Sequence, residues 1–109
     1  MLLSNTETIP GFRNRRHIGL VQGNTIRAKN IGRDILAGFK NIVGGELKGY
    51  TELLSEARRE ATERMVQEAQ GVGANAIVNI RFATSSIMQG AAELFAYGTA
   101  VTVEQETDA

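Results

Sequence analysis

The strand-like segments of this chain are apolar on both faces, and this limits its possible folds more than any other feature. A sheet with one solvated face alternates apolar and polar residues strictly. Over 76–82, one face carries Val78, Ile80 and Phe82, and the other still carries Ile77 beside Asn79 and Arg81. Over 92–103, Phe95, Tyr97, Thr99, Val101 and Val103 share one face, and Leu94, Ala96, Gly98, Ala100 and Thr102 share the other. Helices on one side of a small sheet would leave the second, small-residue face to be covered by something else. With 109 residues there is room for a single core, and a domain of this size buries only about 60–65% of its unfolded surface alone. Most soluble oligomers are symmetric homo-oligomers, so contact between copies is the economical cover. The pattern predicts a self-associating subunit.

Two helices are expected between the strands. Over 30–43, Ile31, Ile35, Leu36, Phe39, Ile42 and Val43 fall on one helical stripe. Asn30 supplies an N-cap, and Gly44-Gly45 ends the helix by tolerating a left-handed conformation. A longer helix follows from Lys48 to Gln70, with Tyr50, Leu53, Leu54, Ala57, Ala61, Met65 and Ala69 as its apolar stripe and Gly71 as its C-cap. Its other face pairs opposite charges at helical spacing (Arg59/Glu63, Glu60/Arg64, Arg64/Glu68), as a solvated face does.

The remainder reads as strand and turn. Residues 1–16 form an irregular segment with a turn at Pro10-Gly11. A strand occupies 17–23 and continues to Ala28 after a kink or bulge at Gly23. Residues 83–90 are a connection, and 105–109 are a frayed polar tail. The expected architecture is one α+β domain over 1–109. It is a small antiparallel sheet of three or four strands packed on two helices, in the order β-α-α-β-β.

Several function classes receive little support. The apolar runs are far shorter than the ~20 residues that span a bilayer, and Met1-Leu2-Leu3-Ser4 is neither a basic nor an apolar leader. A cytoplasmic location without membrane contact is expected. The formal net charge is zero, yet residues 1–40 carry a net +5 and 41–109 a net −5. The halves are expected to neutralise each other within or between subunits. Phe12 and the cluster Arg13, Arg15, Arg16 and His17 are too short a basic stretch to specify nucleic-acid binding.

Catalytic and metal signatures are equally sparse. The chain has one histidine, His17, and no cysteine, whereas a zinc site needs three or four converging ligands. No Gly-x-Ser-x-Gly elbow occurs. Gly71-Val72-Gly73-Ala74-Asn75-Ala76 matches a Gly-x-Gly-x-x-Ala pattern, but it follows a helix and precedes a strand, the reverse of a dinucleotide fingerprint. It reads as a helix cap and a tight turn. Gly44-Gly45-Glu46-Leu47-Lys48-Gly49 is a helix-to-helix linker whose free amides near a helix N-terminus suit an anion.

The block from Asn30 to Gly45, together with Tyr50, Ala57-Arg58, Gly73-Ala74-Asn75-Ala76-Ile77-Val78 and Gly98-Thr99-Ala100-Val101, resembles the YbjQ-like family of small bacterial and archaeal proteins. The resemblance covers almost the whole chain. It implies an α+β subunit that assembles into a ring-shaped pentamer, sometimes stacked into a decamer. The family carries a heavy-metal-binding label. Soft metals select thiolates and thioethers, and the only sulfurs here are Met1, Met65 and Met88, so neither a metal nor another cofactor is expected.

The matched polar residues have two readings. Arg33, Asp34 and Arg58 fix contacts around the ring, or Asn30, Arg33, the Gly44 and Gly45 amides and Tyr50 form a small-ligand or anion site at the subunit junction. The expected function is therefore a homo-oligomeric binding or scaffold protein. An enzyme using Asp34 at the same junction as acid or base is the alternative.

Overall fold

A computed structural model describes residues 1–25, 48–88 and 91–107. Five elements are present among them: β1 (Leu2–Leu3), β2 (Phe12–Asn24), α1 (Lys48–Gly71), β3 (Ala76–Met88) and β4 (Ala91–Gln105). The strands form one four-stranded sheet in the order β1-β3-β4-β2. The long strands pair antiparallel, and β1 pairs parallel with β3 through Leu2↔Ala76 and Leu3↔Ile77. The sheet is therefore mixed, not wholly antiparallel. The described residues contain one helix instead of two, and the helix expected over 30–43 lies outside them.

The strands are longer than the apolar pattern predicts. Residues 12–16 are strand, not irregular, and β3 continues through the expected connection to Met88. Arg13-Asn14-Arg15-Arg16 and Thr84-Ser85 are polar and exposed, so these stretches lack the apolar alternation that marks a half-buried strand. Backbone pairing with β4 makes them strand. The expected turn is present: Gly11 has φ +84°, and Phe12 N donates to Ile9 O at 2.9 Å. No kink occurs at Gly23, which pairs regularly with Ala96. The irregularities of β2 fall between Asn14 and Arg16 and between His17 and Gly19.

Helix α1 is held to the sheet by small residues. Ala61, Met65 and Ala69 are buried against Val21, Ile77, Ala96 and Ala100. A β-carbon on Gly23 would stand 2.3 Å from Ala61 O and 2.4 Å from Met65 N. Glycine is what lets strand and helix backbones approach so closely. The small-residue face of β4 is thus the face that α1 covers. The alternation in 92–103 predicts that this face meets another subunit, but the chain's own helix covers it.

The helix ends in a Schellman motif. Ala74 N donates to Ala69 O at 3.0 Å and Gly73 N to Gln70 O at 3.1 Å, the 6→1 and 5→2 bonds of that cap. The left-handed residue is Gly73, φ +84°, so the cap falls two residues beyond the expected Gly71. The block resembling a phosphate fingerprint is a helix stop followed by the first residue of β3.

Among the described residues, the N-terminal segment covers one end of the opposite face of the sheet. Ile9 and Phe12 pack over Ala76, Val78, Val101 and Val103 as a second cluster. The N-terminal segment is tied along β3 by Ser4 N to Ile77 O, Ile80 N to Ser4 O and Asn79 N to Thr6 O, all between 2.9 and 3.1 Å. These bonds coincide with a bulge at Asn79, φ +55°. A one-residue bulge turns the following side chains to the other face. Val78 and Phe82, expected to share a face, therefore lie on opposite ones: Val78 pairs with Thr99, and Phe82 with Ala96 on the helix side. Past the N-terminal cover, Leu20 remains 71% exposed on that face, and on the helix side Phe82 is 47% exposed.

Candidate functional site

The expected junction residues are only partly within view. Asn30, Arg33, Asp34, Gly44 and Gly45 lie outside the described residues. Tyr50 belongs to the first turn of α1, and Arg58 lies on its exposed surface with Nη2 donating to Ser55 Oγ at 3.2 Å. Eight residues separate Tyr50 from Arg58, about 12 Å along the helix axis at 1.5 Å per residue. Ion pairing on the helix is seen between Arg64 and Glu60, with Arg64 also donating to the Asn24 carbonyl. That arginine fastens the end of β2 to the helix.

A denser polar cluster lies at the far end of β2 and β4. Glu104 on β4 accepts from Arg13 through Nε and Nη2 at one oxygen, and from Arg15 Nη1 at the other, at 2.8 Å. The hydrogen bonds from Arg13 and then from Arg15 hold the Glu104 carboxyl below its ordinary pKa. The bulge between Asn14 and Arg16 shapes this group. Arg13 pairs with Glu104, and after the extra residue Arg16 pairs with Thr102. Positions 102 and 104 share a face of β4 because side chains alternate along a strand, and residues opposite each other in a ladder share a face. Arg13, Arg15 and Arg16 therefore gather on the side of Glu104, and His17 pairs with Val101 on the other side. The sequence showed the arginines as a run. It did not show that a bulge would collect them or that Glu104, far away in the chain, would join them.

The donor set does not fit a soft-metal site. Met65 is fully buried in the core under α1, His17 is exposed on β2, and the chain has no cysteine. Among the described residues no three His, Cys, Asp or Glu side chains cluster as metal ligands would. No helix among them is long and apolar enough to cross a membrane.

These observations define a small α+β domain whose mixed sheet packs against a helix on one side and against part of its own N-terminal segment on the other. The family model described as "Putative heavy-metal-binding" matches residues 1–104, and the chain belongs to that family, YbjQ. A relative named UPF0145 protein from Hahella chejuensis is 66% identical over 104 residues, covering 95% of this chain and all of its own. UPF0145 proteins from Archaeoglobus fulgidus and Thermotoga maritima are 57% and 51% identical, over 93% and 96% of this chain and 94% and 99% of theirs. A crystal structure of a protein of unknown function from Pediococcus pentosaceus is similar at TM-score 0.49 and 14% identity, covering 95% of this chain and 98% of that one.

Proposed function

We propose that this protein is a cytoplasmic homo-oligomeric binding or scaffold protein, a pentameric ring or a stacked decamer, with a small anionic ligand held where subunits meet. The observation that carries the reading is the exposed leucine on the second sheet face, among the described residues. There Leu20, 71% exposed, lies in the row of Thr99, and the next rows of β4 bring Tyr97 and Phe95, whose ring centroids are 5.6 Å apart. A neighbouring subunit is the cover that removes this surface from water. The ligand groups expected at the junction are Asn30, Arg33, the Gly44 and Gly45 amides and Tyr50, with Asp34 and Arg58 fixing subunit contacts.

Native mass spectrometry on protein purified without a metal-affinity step tests both parts. Five or ten subunit masses with a reproducible added mass is the expected result. A bare ring leaves the scaffold reading and removes the ligand. A monomer overturns the assembly and the junction site together.

A further inference from the structure

We propose that the arginine face formed by Arg13, Arg15, Arg16, Thr102 and Glu104 is a binding site for a small phosphate-type dianion, separate from any site at the subunit junction. The group itself holds three guanidiniums and one carboxylate, and Glu106 just past β4 and Glu7 beside Asn14 are further carboxylates at this end of the sheet. Stability does not account for the grouping. The Arg13 and Arg15 side chains are 69% and 70% exposed, and exposed ion pairs contribute little to folding. Like charges on one face also repel.

The geometry does account for anion recognition. Glu104 fixes two arginines in place, which lowers the cost of ordering them when a ligand arrives. Each guanidinium presents five N–H donors in a planar fork suited to the oxygens of phosphate. The carboxylate can satisfy only a fraction of those donors, and among the described residues Arg16 has no carboxylate partner. The Thr102 hydroxyl, on the same face and directly opposite Arg16 in register, adds a neutral donor. Without the bulge after Asn14, Arg16 would fall on the other face, away from this group.

The test is a chemical-shift titration of the full chain with inorganic phosphate at constant ionic strength, with chloride as the control. Saturable shifts are expected at the amides of residues 13–16 and 102–104, absent with chloride. Arg16→Ala should weaken phosphate binding about tenfold or more, with Arg16→Lys intermediate because a point charge replaces the fork. Equal responses to phosphate and chloride would overturn the proposal, as would an Arg16→Ala protein that binds phosphate normally. The native mass of Arg16→Ala should match that of the unaltered protein. A change in subunit number would make the face a subunit contact and overturn the proposal. A monomeric unaltered protein that still binds phosphate at these residues would overturn the ring alone.

Discussion

The Asn75 side chain occupies the place of a backbone partner for Val103. Its Nδ2 donates to Val103 O at 2.9 Å, and Val103 N donates to its Oδ1 at 2.7 Å. The Asn75 backbone meanwhile donates to Val101 O and accepts from Leu2 N. One residue after the helix cap thus links β1, β3 and β4. Replacing it leaves both polar groups of Val103 unpaired, which costs about 1–3 kcal/mol. Asn75→Ala should lower the unfolding free energy by that amount in urea titration. Asn75→Asp keeps the acceptor and loses the donor, so it should fall between.

Gly23 and Gly71 should respond in opposite directions to the same change. Alanine at 23 drives a methyl into Ala61 O and Met65 N, both backbone atoms. Overpacking of this type costs about 1–3 kcal/mol. Gly71 has open space around its Cβ position and lies in the last turn of α1, where alanine is favoured over glycine by about 0.5–1 kcal/mol. Urea midpoints for Gly23→Ala and Gly71→Ala should move down and up, with unchanged slopes.

Glu104 should titrate below the ordinary glutamate range when followed by side-chain NMR. Its folded pKa is depressed by Arg13 and Arg15. The stabilisation is therefore fully present above the unfolded value, about 4.3, and is lost as pH falls through the lower folded value. The double change Arg13→Ala with Arg15→Ala should bring the pKa back up toward the ordinary value. A Glu104 that titrates normally in the unaltered protein would contradict the pairing.

Leu20→Lys should break the proposed assembly without unfolding the subunit. Leu20 contributes little to the subunit's own core, being 71% exposed. A lysine there costs the monomer almost nothing but places a charge where the neighbouring subunit is expected. Light scattering should show a smaller particle with unchanged circular dichroism. An intact ring carrying this change would move the subunit contact elsewhere.

The long helix was legible because its evidence is local. A repeating stripe of Leu54, Ala57, Ala61, Met65 and Ala69 sets the 3.6-residue period, and two glycines mark its stop. The existence of β3 and β4, and the division of β4 into a large-residue face and a small-residue face, could also be read directly. The family resemblance rested on short blocks such as Gly73-Ala74-Asn75-Ala76, and the structure gives that block a reason: Gly73 turns left-handed to stop the helix, and Asn75 binds Val103.

Tertiary structure decided which face is covered by what. Ala96, Gly98 and Ala100 looked like a surface in need of a partner, yet small side chains are what admit a helix at close range. The bulges at Arg15 and Asn79 could not be read from spacing, because each arises from pairing with a distant segment. Each nevertheless decides on which face the side chains after it lie. Glu104 joined the arginines for the same reason: β4 and β2 meet only in the folded sheet. Sequence by itself determined the local periods and the turns. Register, bulge position and the choice of covered face depend on long-range backbone pairing, and only the assembled sheet sets them.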